Sequence, residues 1–220
     1  MPKQDASAGD DPAEVVVEAS DAALGARFDR PPGSSAVVVF AHGSGSSRHS
    51  PRNRYVARQL NEGGIGTLLV DLLTDDEADQ RNNVFDIDLL ARRLRESTDW
   101  VRRVADEPVR VGYFGASTGA AAALVAAADP AAGIAAIVSR GGRPDLAGPA
   151  LSAVHAPTLL IVGGNDEAVL ELNRAAQTRL RGRSRLEIVP GATHLFPESG
   201  ALAAVARLAR SWFETYLRGR

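Results

Sequence analysis

The sequence predicts an α/β fold in which helices cover both faces of a mostly parallel β-sheet. Short apolar runs alternate along the chain with longer helical patterns, which is the order that a parallel sheet requires. Several of the short runs are apolar at every position, as expected for strands covered on both faces. The sequence contains no linker, low-complexity stretch or internal repeat. It therefore predicts a single domain over residues 14–220, preceded by a polar, disordered tail over residues 1–13.

The predicted strands begin with a hairpin and continue with apolar runs that end in polar or glycine-rich loops. The run at 36–41, AVVVFA, is apolar throughout, whereas the last run is the weakest. In chain order, the predicted strands are Glu14–Ala19, Ala23–Phe28, Ala36–Ala41, Thr67–Val70, Val109–Phe114, Ala135–Val138, Pro157–Val162 and Leu186–Val189.

Helical patterns fall between the predicted strands. Thr118–Ala128 is Ala-rich and apolar all round, so we expect it to be buried. Ala201–Leu217 carries an apolar stripe that includes Trp212, and we interpret Trp100 and Trp212 as core residues. The remaining predicted helices are Asn53–Glu62, Val84–Ala105 and Leu170–Leu180.

The composition excludes several kinds of chemistry. The 220 residues include no Cys, which excludes a disulfide framework, a Cys-ligated zinc site and a thiol nucleophile. Lys3 is the single lysine, so neither a P-loop lysine nor a Schiff-base lysine is expected. After the strands and helices are allotted, the longest spare segments are Leu72–Asn83 and Gly141–Ala153. We therefore expect no sizeable cap domain and a fairly open site.

Charge and hydropathy limit the partners. The formal net charge of -2 argues against general nucleic-acid binding. No apolar run reaches the roughly 18–20 residues of a membrane span, and the start lacks the apolar core of a signal peptide. We expect a cytoplasmic protein with a small-molecule substrate and without nucleic-acid or membrane partners. A homodimer is compatible with the sequence.

The strongest functional signal is the motif Gly115-Ala116-Ser117-Thr118-Gly119, which lies between a predicted strand and a predicted helix. In that context G-x-S-x-G is the pattern of a nucleophile elbow. A tight turn projects the Ser117 hydroxyl outward, and the two glycines lack the Cβ atoms that would clash with neighbouring elements. The helix amino-terminus directs its N–H groups at developing negative charge.

A nucleophilic serine needs a base, and the base needs an orienting acid. The four histidines are His42, His49, His155 and His194. His194 follows the last predicted strand, and Asp166 follows the strand before it. Ser117, Asp166 and His194 thus occur in the order that the serine hydrolases of this chain topology require. Glu167 and Asp145 are alternative acids.

Two backbone N–H groups are candidates for an oxyanion hole. One belongs to Thr118, directly after the nucleophile. The second comes from the glycine-rich loop His42-Gly43-Ser44-Gly45 after the third strand, where we assign it to Ser44 and next to Gly43. We interpret His42 as a structural loop residue, because the sequence shows no obvious acid partner for it.

These motifs resemble those of the α/β-hydrolase superfamily, and within it the small dienelactone-hydrolase-like group. The resemblance spans about residues 14–217 and includes Gly163-Gly164-Asn165-Asp166 and Gly191-Ala192-Thr193-His194. It implies hydrolysis of esters or lactones through an acyl-enzyme, without a metal or organic cofactor. Dienelactone hydrolases proper carry a cysteine at the elbow, so Ser117 points to a broader serine esterase.

Arginines crowd the predicted site. Arg48 and Arg52 follow the oxyanion loop, and Arg140 and Arg143 follow a strand. A guanidinium group matches a carboxylate or phosphate at two points, so these residues are candidates for binding an anionic substrate, with Arg48 or Arg140 gripping it. The alternative is that they brace loops by pairing with acids. Those acids would be Asp71, Asp75 or Asp145.

Two other classes of function stay open at this point. The loop Gly43–Ser47 follows a strand, and Asp71 ends the next one, as in a dinucleotide-binding oxidoreductase. However, Arg48 stands where the third glycine of that motif belongs, and Pro51 suggests that the helix starts late. A non-catalytic binding protein with the same fold is the second alternative. The sequence does not distinguish hydrolysis from acyl transfer.

Overall fold

The computed structural model describes residues 12–105 and 107–218, and within them eight strands form one sheet. The predicted tail over residues 1–13 lies almost entirely outside the described residues, and Ala13 already belongs to the first strand. Each predicted strand is present, with ends that differ by a few residues. The strands are β1 (Ala13–Glu18), β2 (Ala23–Asp29), β3 (Ala36–Ala41), β4 (Gly66–Val70), β5 (Arg110–Ala116), β6 (Ile134–Arg140), β7 (Thr158–Gly163) and β8 (Ser184–Val189).

The sheet is mostly parallel, as predicted. Its strand order is β1-β2-β4-β3-β5-β6-β7-β8. β2 pairs antiparallel with β1 and β4, and all other neighbours pair in parallel. The carboxyl ends of β3 to β8 therefore share one edge, where ligands bind in sheets of this kind.

Helices cover both faces of the sheet. α1 (Pro51–Asn61) and α7 (Ala201–Leu217) pack together on one face. α4 (Ile87–Val104) and α5 (Thr118–Ala128) pack on the other. On that second face, α6 (Glu167–Gln177) packs against a 3-10 segment, Pro144–Ala153, which contacts α5. A short 3-10 turn, Pro130–Ala132, follows α5.

The segment between β4 and α4 differs from the prediction. The predicted helix Val84–Ala105 is divided into α3 (Arg81–Val84) and α4, because Asp86 caps α4 by accepting a hydrogen bond from Leu89 N at 2.9 Å. α2 (Asp75–Ala78) was not predicted, since its four residues are almost all acidic and show no apolar period. No separate cap domain is present in residues 12–105 and 107–218.

Two apolar cores lie on either side of the sheet. Phe40, Phe114 and Phe213 are buried on the α1/α7 face, and the Ala-rich helix α5 is buried on the other, as predicted. Trp100 packs edge-on against Phe28, with ring centroids 5.4 Å apart. Trp212 packs on Tyr216 at 4.7 Å, so both tryptophans serve packing. None of the described helices combines the length and the hydropathy needed to cross a membrane.

Candidate active site

Ser117 occupies a strained turn between β5 and α5. Its backbone has φ 49° and ψ -120°, a conformation that costs a non-glycine residue about 1–3 kcal/mol. The flanking glycines are required by close packing: a Cβ on Gly119 would lie 2.1 Å from the Ala41 carbonyl oxygen. A Cβ on Gly115 would lie 2.4 Å from Ala120 Cα. The geometry therefore matches the predicted nucleophile elbow.

The elbow is fixed to the segment that follows β6. Ser117 N–H donates to the Arg140 carbonyl at 3.3 Å, and the Ser117 carbonyl accepts from Arg143 N at 3.1 Å. These two bonds clamp the turn on both sides of the serine Cα. Since Ser117 stays partly exposed, its hydroxyl remains open to a substrate.

Asp166 and His194 form the hydrogen bond that the sequence analysis expected. His194 Nδ1 lies 2.7 Å from Asp166 Oδ2, and the two side chains are 38% and 15% exposed. The loops that carry them are tied together, because Asn165 N donates to the Ala192 carbonyl and Asn165 Nδ2 to Gly191 O, at 2.9 and 3.0 Å. A carboxylate on Nδ1 holds the ring with Nε2 available as a base.

The His194 ring packs on the backbone beside the elbow. Gly141 has φ 51°, and a Cβ there would come within 3.1 Å of the His194 carbonyl oxygen and 3.5 Å of its ring. Gly141 directly follows Arg140, whose carbonyl binds Ser117. Ser117, Asp166 and His194 thus lie at the same edge of the sheet. Among the described residues no hydrogen bond joins Ser117 Oγ to the ring, as is common before substrate binds.

The alternative acids do not reach His194 in the same way. Asp145 accepts two hydrogen bonds from Arg143, at 2.8 and 2.7 Å. The bonds with Arg143 hold the pKa of Asp145 below its usual range. Glu167 is exposed at the start of α6.

The predicted oxyanion-hole residues lie together. Thr118 is the first residue of α5, so its N–H has no acceptor within the helix. Gly43 lies against the nucleophile, because a Cβ on it would be 2.9 Å from Ser117 Cβ. Ser44 N–H donates to Thr118 Oγ1 at 3.1 Å. Ser44 N–H can therefore donate to an oxyanion only if the bond to Thr118 Oγ1 is shared or broken. The loop that an oxidoreductase would use for pyrophosphate thus faces the serine.

His42 has an acid partner that sequence reasoning missed. Its Nε2 lies 3.5 Å from Asp71 Oδ1, at the end of β4. Asp71 also binds the backbone N–H and the guanidinium of Arg48, and Arg48 Nε reaches Glu14 at 3.2 Å. Arg48, expected to grip the substrate, instead braces the loop after β3 against β4 and β1. Asp71 was named as a bracing acid for arginine but not as the partner of His42.

The other three arginines near the site differ in whether an acid pairs with them. Arg143 pairs with Asp145 and so braces its own loop. Arg140 is 7% exposed and pairs with no carboxylate of the described residues; its Nη2 lies 3.4 Å from Asn53 Oδ1. Burial lowers the pKa of Arg140 to about 10, and the charge of Arg52 acts in the same direction. Within residues 12–105 and 107–218, Arg52 and Arg140 therefore form no ion pair with a carboxylate.

A cavity of about 260 Å³ adjoins the oxyanion loop. α2 and α3 wall its outer side, so this side of the site is more enclosed than the sequence suggested. Its lining residues include Ser44, Leu72, Leu73, Val84, Leu90 and Thr118.

Comparison with known proteins identifies the family. No family model matches the chain. A solved dienelactone hydrolase from Anabaena variabilis is 53% identical, with a TM-score of 0.91, over 94% of this chain and 99% of that one. The chain belongs to the dienelactone hydrolase family. Its fold is thus the α/β-hydrolase fold, as the motifs indicated.

More distant structures share the fold. The Pyrococcus furiosus esterase PF2001 is 17% identical to this chain, with a TM-score of 0.74 over 94% of this chain and 92% of the esterase.

Two Mycobacterium tuberculosis proteins, from strains CDC 1551 and H37Rv, are each 58% identical to this chain over 207 residues. Both are named provisionally as phosphoribosyl transferases. The chain spans about half the length of these curated relatives, 47%, and 94% of its own residues are matched.

Proposed function

We propose that this chain is a serine hydrolase that cleaves small carboxylic esters or lactones through an acyl-enzyme. The observation that carries the proposal is the 2.7 Å hydrogen bond between Asp166 and His194, at the edge of the sheet where Ser117 occupies its strained turn. Packing alone does not require an acid, a base and a serine hydroxyl to meet there. The cavity of about 260 Å³ reaches the proposed oxyanion-hole residues Ser44 and Thr118, and its size favours a small substrate.

In the first half of the reaction, Ser117 Oγ attacks the carbonyl carbon while its proton passes to His194 Nε2. The carbonyl oxygen becomes an oxyanion, held by the N–H groups of Thr118 and Ser44; losing one such donor typically costs about 10²–10³ in rate. The tetrahedral intermediate collapses as His194 returns the proton to the leaving alkoxide. An alcohol departs, or, in a lactone, stays attached to the acyl group.

In the second half, His194 takes a proton from water, and the resulting hydroxide attacks the acyl carbon. The ester bond to Ser117 breaks, the serine regains a proton from His194, and a carboxylic acid leaves. Asp166 stays ionised throughout, where it fixes the ring and stabilises the imidazolium. Each step uses side chains of this chain and one water molecule.

The Mycobacterium tuberculosis relatives have a transferase name, but this chain covers only 47% of their length, so the name describes proteins of about twice its size. A second candidate function therefore has no specific observation in its favour.

Hydrolysis of p-nitrophenyl acetate tests the proposal. We expect Ser117→Ala to lower kcat at least about 10³-fold, because the acyl-enzyme is then impossible. Ser152→Ala is the matched control, since Ser152 is exposed and its hydroxyl donates to Pro149 O, away from the elbow. A Ser117→Ala variant that retained the wild-type rate would show that Ser117 is not the nucleophile. A wild-type protein without any turnover would favour a binding protein.

A further inference from the structure

Two arginines at the carboxyl edge of the sheet carry charge that the described residues leave unneutralised. Arg140 Nε and Nη1 are buried without a hydrogen-bond partner, and so is Arg52 Nε. Neither guanidinium forms an ion pair with a carboxylate of residues 12–105 or 107–218. Arg140 Nη2 lies 3.4 Å from Asn53 Oδ1, and Arg52 is the residue before Asn53, so Arg140 reaches the turn of α1 that carries Arg52.

Such an arrangement is unfavourable unless an anion joins it. A buried charge is normally paired, because taking it out of water costs several kcal/mol. A guanidinium presents its donors in a fork that fits two oxygens of a carboxylate or phosphate. Arg140, 7% exposed, and Arg52 at the start of α1 therefore offer unfilled donors to an anionic group.

The pair lies beside the catalytic groups. The backbone of Arg140 binds Ser117 and precedes Gly141, on which the His194 ring packs. Arg52 stands in the first turn of α1, the helix that follows the oxyanion loop. The positive end of the α1 dipole adds to the two formal charges. Arg52 stays partly exposed, which leaves a route from solvent to the pair.

We propose that Arg140 and Arg52, with Asn53 as a polar neighbour, form a subsite that binds a carboxylate or phosphate group of the ester substrate. The proposal rests on the proposed hydrolase function. It assigns the anion to two of the four arginines, because Arg48 and Arg143 already hold Asp71 and Asp145. The bracing alternative accounts for Arg48 and Arg143 and leaves Arg140 and Arg52 without partners.

Three matched esters test the subsite: 4-acetoxybenzoate, 4-acetoxyphenyl phosphate and the neutral methyl 4-acetoxybenzoate. We expect Arg140→Met to lower kcat/KM for one or both anionic esters by about 10- to 100-fold, mostly through KM. Turnover of the neutral ester should stay within about threefold of wild type, since its chemistry uses other groups. The ester with the larger loss identifies the preferred anion as carboxylate or phosphate.

Two further variants guard the result. Arg52→Met removes the more accessible guanidinium and should reproduce the selective loss even if Arg140→Met folds poorly. Arg174→Met removes an equal charge from the exposed Arg174–Glu171 pair on α6 and should change the three rates alike, by less than about twofold. Equal losses on neutral and anionic esters in both site variants would overturn the proposal.

Binding measured without turnover separates this proposal from the hydrolase function. In Ser117→Ala, calorimetric titration with benzoate or inorganic phosphate should show binding that Arg140→Met weakens by about 10-fold or more. If no ester is hydrolysed but this binding is present and lost with Arg140, the hydrolase function fails and the anion subsite stands. If esters are hydrolysed and neither anion binds, the subsite fails and the hydrolase function stands.

Discussion

Two arginines are buried in the described part of the chain, and their surroundings are opposite. Arg93, on α4, is 1% exposed. It donates to both carboxylate oxygens of Glu77 at 2.6 and 2.8 Å, to Asp21 at 3.1 Å and to the Leu72 carbonyl at 2.9 Å. Arg140, at the end of β6, has one long contact with Asn53 and no acid. The same side chain is thus paired with carboxylates in one region and left without a carboxylate partner in the other.

The pKa values follow these surroundings. The hydrogen bonds with Glu77 raise the pKa of Arg93 well above its usual range despite its burial. Burial lowers the pKa of Arg140 to about 10. The comparison teaches that this fold supplies carboxylates where a guanidinium has a structural role. A buried arginine without them lies at the edge of the sheet where Ser117 occupies its strained turn, the edge that we propose as the functional one.

The largest effect on stability is expected at the Arg93 cluster. Glu77→Ala leaves a buried guanidinium with only Asp21 and a carbonyl, so the free energy of unfolding should fall by about 3 kcal/mol. Urea unfolding measures this loss. Asp76→Ala is the matched control, because Asp76 is an exposed acid in the same short helix. A loss below about 1 kcal/mol for Glu77→Ala would mean that the cluster does not stabilise Arg93.

A smaller effect is expected from acid. The bond with Arg93 lowers the pKa of Glu77 to about 2, so this carboxylate contributes stability that is complete above its ordinary pKa near 4.5. That contribution should be lost progressively as the pH falls from about 5 to 2. Unfolding free energies at pH 6 and pH 3 should therefore differ more in wild type than in Arg93→Met. Equal differences in the two proteins would contradict the prediction.

The smallest effect concerns the strain at the elbow. Ser117→Gly should raise the free energy of unfolding by up to about 1 kcal/mol, because glycine adopts φ 49° without steric cost. Ser152→Gly, at an exposed position of ordinary backbone, should instead lower it by about 0.5 kcal/mol. Thermal unfolding distinguishes the two signs. Equal destabilisation of both variants would show that the turn stores no strain.

The sequence predicted the strands and the placement of Ser117, Asp166 and His194 at one edge of the sheet well, because both depend on local signals. Continuous apolar runs such as Ala36–Ala41 predict buried strands. The G-x-S-x-G motif is recognised from the strand before it and the helix after it. Asp166 and His194 could be paired because parallel topology brings successive strand ends to one edge. α2 and the division before α4 were missed, since capping by Asp86 outweighs the apolar period there.

The roles of the arginines could not be read from sequence, because they depend on contacts between distant residues. Arg48 meets Asp71, 23 positions away, and Arg140 meets Asn53, 87 positions away. His42 likewise looked free of an acid until β3 and β4 placed Asp71 beside it. Only these pairings show which of the four arginines have no carboxylate partner among the described residues and can bind an anionic ligand.

Covalent labelling tests the central claim most directly. A serine-directed fluorophosphonate should react with the wild-type protein, and peptide mass spectrometry should place the adduct on Ser117, because Ser117 lies at the sheet edge where Asp166 holds His194. Ser117→Ala should remain unlabelled. An adduct on another serine, or no adduct on folded wild-type protein, would contradict the account.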